Sequence, residues 1–309
     1  MGCLLSVINI LCLLILPFSF VAADGSSAVG VNYGMIADDL PPPPQVVSLL
    51  KSRNIKRVPV GNEVLPGDLS IFVFPAIKNL NAALESVNLG QIPVSTAASI
   101  SVLGSSYPPS AGDFRGDMKP IMQDLTGFLA GKGFPLLVTA YPYFSYVSDP
   151  NSISLSYVLF NSSDVVVKDG DLGYTNMFDA MVDAVYSALE KIGAGSVEVV
   201  ICETGWPSNG NGDFTTIDLA QTYNQNLVKH VSSSGTPKKP NKNVETYVFA
   251  LFNEDLKPAG VEQNFGVQKF HFVVAYLPFC LRIGTSSKTE LYRTKDLDMT
   301  CYLYGFWHD

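Results

Sequence analysis

Histidine is scarce: the 309-residue chain has three, at His230, His271 and His308. A set so scattered makes no His-rich metal site. The chain also lacks an HExxH helix, a CxxC pair and a Gly-rich loop closing on Lys-Ser/Thr. Zincin, thioredoxin-like and P-loop chemistry are thereby excluded. Positive charge is short as well, with 20 Lys and Arg against 28 Asp and Glu, a net charge of -8. An acidic chain without a basic stripe excludes nucleic acid and anionic membrane surfaces as partners. No low-complexity tract and no long charge run interrupts the chain. No apolar run reaches the roughly 20 residues of a spanning helix, including Val7–Leu16 and Phe270–Ile283.

The chain is 47% hydrophobic, enough for one large core. Its first 23 residues carry no charged side chain and end in Val21-Ala22-Ala23, which reads as a secretory signal peptide. Cys3 and Cys12 leave with it. Cys202, Cys280 and Cys301 remain, an odd number that implies no disulfide framework. Asn161-Ser162-Ser163 is an N-glycosylation sequon.

Apolar, β-branched runs alternate with helical patterns along the rest. Strands are expected at Ala28–Gly34, Ile55–Gly61, Ile92–Ala97, Phe134–Tyr141, Val197–Glu203 and Glu245–Phe252. Most are apolar on both faces, as strands buried between helices are. Helical faces recur at Ile77, Leu80, Leu84 and Val87, at Ile121, Leu125 and Phe128 after Pro120, and at Ala220, Tyr223, Leu227 and Val231. Another runs through Phe178, Met181, Val185, Leu189 and Ile192, with Gly193 placed as its C-terminal cap. A proline-led helix is expected at residues 41–53. Strand alternating with helix gives a parallel α/β sheet, open or closed into a (β/α) barrel. Five of the six strands end in polar or aromatic residues: Asn32-Tyr33, Asn62-Glu63, Tyr141, Glu203 to Trp206, and Phe252-Asn253-Glu254. A site fed by so many strand ends is the mark of the barrel.

Two of those ends carry glutamates, Glu63 and Glu203. On a barrel both lie on one rim, and two facing carboxylates are what glycoside hydrolysis needs. A lone Glu after a strand is ordinarily a solvated carboxylate. Here Glu63 follows Asn62, an amide suited to a sugar hydroxyl. Glu203 precedes Thr-Gly-Trp-Pro-Ser, a rigid turn that presents the indole of Trp206 beside it, unless that indole is core. Cys202, with no histidine near it in sequence, reads as a small buried residue.

The stretches VGVNYG, VGNEV, YPPSAGDF, TAYPYF, ETGWPS and ALFNED, in this order between Val29 and Gly266, resemble the plant β-1,3-glucanases of glycoside hydrolase family 17. The resemblance implies a TIM-type (β/α) barrel and retaining endo-hydrolysis of β-1,3-glucan by a secreted or cell-wall monomer without cofactor. It implies that Glu63 is the general acid/base and Glu203 the nucleophile, that Asn62 binds a sugar hydroxyl, and that Tyr141 orients Glu203. Glu254, Lys257 and Glu262 match charged positions beside the site. Tyr33, Phe144, Phe252 and Phe265 match groove aromatics. Thr139 stands where the family usually has Asn. A barrel of this kind has eight strands, whereas six are readable. The strand reading IKRV runs directly into VGNEV, so two β/α units are lacking between Val58 and Gly61. The stretch after Gly266 follows no family pattern. Both breaks read as splicing events. The expected organisation is therefore a signal peptide at 1–23, an internally shortened barrel at 24–266 and a tail at 267–309. Two other readings stand beside catalysis: a β-glucan-binding protein without turnover, and a splice product without a unique fold.

Overall fold

In the computed structural model, residues 29–33, 57–267 and 298–301 are described; the expected signal peptide and the helix at 41–53 lie outside them. All six expected strands form: β1 (Val29–Tyr33), β2 (Val58–Asn62), β3 (Val94–Ser99), β6 (Leu136–Thr139), β9 (Val199–Thr204) and β10 (Thr246–Val248). Two hairpins, β4 (Leu103–Ser105) with β5 (Asp113–Phe114) and β7 (Val167–Asp169) with β8 (Leu172–Tyr174), lie between them. The helices are α1 (Ser70–Ser86), α2 (Lys119–Lys132), α3 (Pro142–Ser148), α4 (Leu155–Val158), α5 (Met177–Lys191) and α6 (Ile217–Ser233). Side chains start the last two, with Asn176 accepting from the Asp179 N–H and Thr216 from the Leu219 N–H. Val87 falls outside α1, contrary to its spacing. It caps the helix, is exposed, and the chain turns away at Asn88, whose φ is 61°.

A seventh strand, β11 (Asp298–Cys301), comes from the tail, where no strand was readable. Four residues are too few for an alternation to show. The sheet order is β11-β1-β10-β9-β6-β3-β2, with every neighbour parallel. The strand C-termini therefore share one rim.

The sheet is curled. Arg57, just before β2, holds Glu245, just before β10, through two N–H···O contacts of 2.6 and 2.9 Å. Four inter-strand steps separate those strands, ~19 Å in a flat sheet. A bridge of that length closes only if the sheet bends round so that its floor meets itself. Tyr247 joins the pair, its hydroxyl 2.5 Å from Glu245 and 3.2 Å from Arg57. Inside the curl lie Ala97, Leu137, Val200, Cys202 and Tyr247. Outside, Val94, Val138, Val199, Ile201 and Val248 pack beneath Leu125, Leu129, Val185, Leu189 and Leu227 of the helices.

Candidate active site

Side chains alternate in and out along a strand, so one extra residue turns every later side chain over. Such a bulge precedes each of the two rim glutamates. On β9, Ile201 is level with Val138 and Glu203 with Thr139, so Cys202 is the extra residue. Cys202 points inward with Val200, and the bulge lets Glu203 face the same side instead of the helices. Thr204 then points outward to the Tyr223 hydroxyl of α6, 2.6 Å away. Buried Asn32 steadies the bulge, donating from Nδ2 to the Cys202 carbonyl at 2.9 Å. On β2, Pro59 is level with Ser95 and Asn62 with Ala97, again one residue too many. Gly61 supplies it at φ 76°, and Cβ there would lie 2.7 Å from Val64 Cγ2. Glu63 follows at φ 52°, with its N–H bonded to the Ala97 carbonyl.

Glu63 and Glu203 meet at Thr139. The Thr139 hydroxyl donates to Oε1 of Glu63, reaching across β3. The backbone of Thr139 is level with Glu203. Glu203 is 4% exposed, accepts from the Tyr141 hydroxyl at 2.9 Å through Oε2, and has no hydrogen-bond partner at Oε1 among the described residues. Glu63 is the exposed member. Burial, and after it the charge of Glu63, push the Glu203 carboxyl up to about 8. The Tyr141 hydroxyl and the Lys257 ammonium pull it back, while Glu254 adds to the rise. Glu203 thus senses the charge of Glu63 across the rim, and burial favours its protonated form.

Lys257 sits 2.8 Å from the buried Glu254, 3.9 Å from Glu262 and 4.4 Å above the Phe249 ring. The family-matched charges therefore form one cluster beside Glu203. The aromatics divide. Phe144 is exposed and meets Tyr141 edge-on at 5.5 Å. Phe265 is buried beneath them, 5.6 Å from Tyr141, and Phe252 is half-buried. Tyr33 ends β1 on the same rim. Trp206 does not present its indole there. It is 1% exposed, donates to the Phe214 carbonyl and packs on Tyr143 and Tyr223 behind the rim. Asn62 is half-buried next to Glu63. Among the described residues no group of His, Cys, Asp and Glu could hold a metal ion, and no helix is long and apolar enough to cross a membrane.

Three residues that shape the site carried little signal in the sequence. Thr139 was visible only as a departure from a pattern, and Asn32 only as a polar residue ending an apolar run. Arg57 gave no signal, because its partner lies 188 residues away.

Residues 58–276 match the family model for glycosyl hydrolases family 17. The putative glucan endo-1,3-beta-glucosidase GVI of Hordeum vulgare is 42% identical over 304 positions, covering 79% of this chain and 94% of that protein. The probable glucan endo-1,3-beta-glucosidase BG4 of Arabidopsis thaliana is 39% identical, covering 80% of this chain and 89% of its own. Of solved structures, a plant beta-glucan endohydrolase superposes with a TM-score of 0.72 at 37% identity, over 77% of this chain and 95% of that one. CJP38, described as a beta-1,3-glucanase and pollen allergen of Cryptomeria japonica, does so with 0.71 at 42%, over 77% and 94%. The barley alignment also has a gap to account for. Since 79% of 309 residues is about 244, roughly 60 of its 304 positions have no residue here. A barrel of ~250 residues divided by eight gives ~31 per β/α unit, so the shortfall is the size of two units.

Proposed function

The chain belongs to glycosyl hydrolases family 17, and on that premise we propose that it cleaves β-1,3-glucan internally with retention of configuration. Glu63 is the general acid/base and Glu203 the nucleophile. The observation that carries this reading is the facing pair, two carboxylates from separate strands turned to one side by separate bulges and meeting at Thr139. Retention requires the second carboxylate to attack the anomeric carbon while the first protonates the leaving oxygen. Catalysis therefore needs Glu203 to give up the proton that its burial favours. The Thr139 hydroxyl occupies Oε1 of Glu63, which leaves Oε2 to carry the proton toward the glycosidic oxygen. Tyr141 and Lys257 both favour ionised Glu203. The face of Phe144 suits a pyranose ring, and Asn62 supplies an amide for a hydroxyl. On this reading the first 23 residues route the chain to the secretory pathway, and its substrate is wall glucan.

The experiment is laminarin hydrolysis by the wild-type chain with Glu203→Ala and Glu63→Ala. Azide should rescue Glu203→Ala with an activated substrate and give a glycosyl azide of inverted configuration. With Glu63→Ala it should give one of retained configuration. Exchanged products would exchange the roles.

A second reading, glucan binding without turnover, has one observation in its favour. Among the described residues β2, the strand leading to Glu63, is an edge of the sheet. Retarded migration of the wild-type chain in a laminarin gel, with no release of reducing ends, would decide for it.

A further inference from the structure

The sequon at Asn161 takes no part in the rim chemistry, yet a cavity opens beside it. The cavity holds about 220 Å³ and lies between the start of α5 and the end of α6. Its wall combines the Phe160 ring with polar groups, among them Asn176, Asn226, Lys229 and His230. His230 is held by Asp179 at 2.8 Å and its ring lies 5.3 Å from that of Phe160. An aromatic ring surrounded by amides, hydroxyls and a lysine ammonium is the make-up of a sugar site rather than an apolar ligand's.

Asn161 stands at its lip, exposed, one residue beyond Phe160. The amino group of Asn226 donates to the Leu159 carbonyl at 2.8 Å and to Oδ1 of Asn161 at 2.9 Å. Turning the Asn226 amide over would set its oxygen against a carbonyl, so the donor is assigned by chemistry. The acceptor on Asn161 must then be Oδ1. Nδ2, the atom that glycosylation modifies, is left on the other side of the amide.

We propose that Asn161 carries an N-linked glycan whose first N-acetylhexosamine lies in this cavity against Phe160. The donor is a polyisoprenyl-diphosphate-linked oligosaccharide. The C1–O bond to diphosphate breaks, the bond from C1 to Nδ2 forms, Nδ2 loses one proton and the diphosphate leaves. Transfer precedes folding, so the folded chain has only to house the product, and an exposed Asn161, next in the chain to cavity-lining Phe160, allows it. The seated sugar ties the loop after α4 to α6.

The full chain, secreted from a eukaryotic host on that host's own leader, is mapped for glycan at Asn161, with Ser163→Ala as the unmodified control. The glycan is then trimmed enzymatically to its first sugar, and NOEs are sought from the sugar to the Phe160 and His230 rings. Full occupancy with such NOEs and an upfield ring shift of the sugar protons is the expected result. Glycan without them overturns the seat, and secreted chain without glycan overturns both parts. Laminarin hydrolysis bears on neither, so a chain inert as a glucanase leaves the proposal intact.

Discussion

Replacing Glu203 by Gln should stabilise this protein in alkaline solution while removing its proposed nucleophile. The buried carboxyl titrates at about 8, against 4.5 for an ordinary glutamate. The folded state therefore holds a proton that the unfolded chain releases at lower pH. The stability due to that proton is complete below about 4.5, declines as pH rises, and is gone above about 8. At 1.36 kcal/mol per pKa unit the whole decline is about 5 kcal/mol. Gln keeps the shape and still accepts from Tyr141, yet cannot ionise. Urea melts of wild type and Glu203→Gln at pH 4, 6, 7 and 9 should nearly coincide at pH 4 and diverge steadily above it. With an m-value of ~2.5 kcal/mol/M, the variant's midpoint at pH 9 should exceed wild type by ~2 M. Profiles running parallel from pH 5 to 9 would show that Glu203 titrates as a solvated acid, and the argument from its burial would fail.

Thr139→Ala removes the only hydroxyl on Glu63 Oε1 that the described residues place there. It should cut kcat on laminarin roughly 10–100-fold with little change in KM, and Thr139→Ser should restore most of it; equal loss in both variants would point to packing instead. Arg57→Gln removes the Arg57 cation from Glu245 and should cost about 1–3 kcal/mol in urea melts. The double change Arg57→Met, Glu245→Met should cost much less, and a double variant as weak as the single would refute the unpaired-charge account. Phe144→Ala should weaken laminarin binding with the melting temperature unmoved, whereas Trp206→Ala should lose about 3–5 kcal/mol of stability. Glucan titrations and thermal melts on the same preparations separate the two effects.

Much of the frame was legible because it follows local rules. Six apolar runs became six strands, and helical spacing located α1, α2, α5 and α6 to within a turn. The polar strand ends declared the rim. What stayed hidden depends on register and on partners far away in the chain. Glu203 follows Cys202, itself inward, so alternation alone would have turned the carboxylate toward the helices; only the pairing with β6 reveals the extra residue. The matching bulge in β2 had a signal, the glycine of VGNEV inside a strand. Trp206 stayed open between rim and core because a Gly-Trp-Pro turn fixes where the backbone bends and not which side the ring takes. Between α3 and α6 there is room for that ring against Tyr143 and Tyr223, and burial prevails.

The contact between Arg57 and Glu245 is a chord drawn across a hoop. Hydrogen-bonded strands set a perimeter, whereas a chord sets a diameter, and the two can be varied independently. Glu63 lies six residues above one end of this chord, and Glu203 stands on the strand adjoining the other. The gap between the carboxylates is thereby measured from the floor through two stiff strands, and not by counting staves around the wall. Losing staves and losing the mouth are separate events in such a vessel.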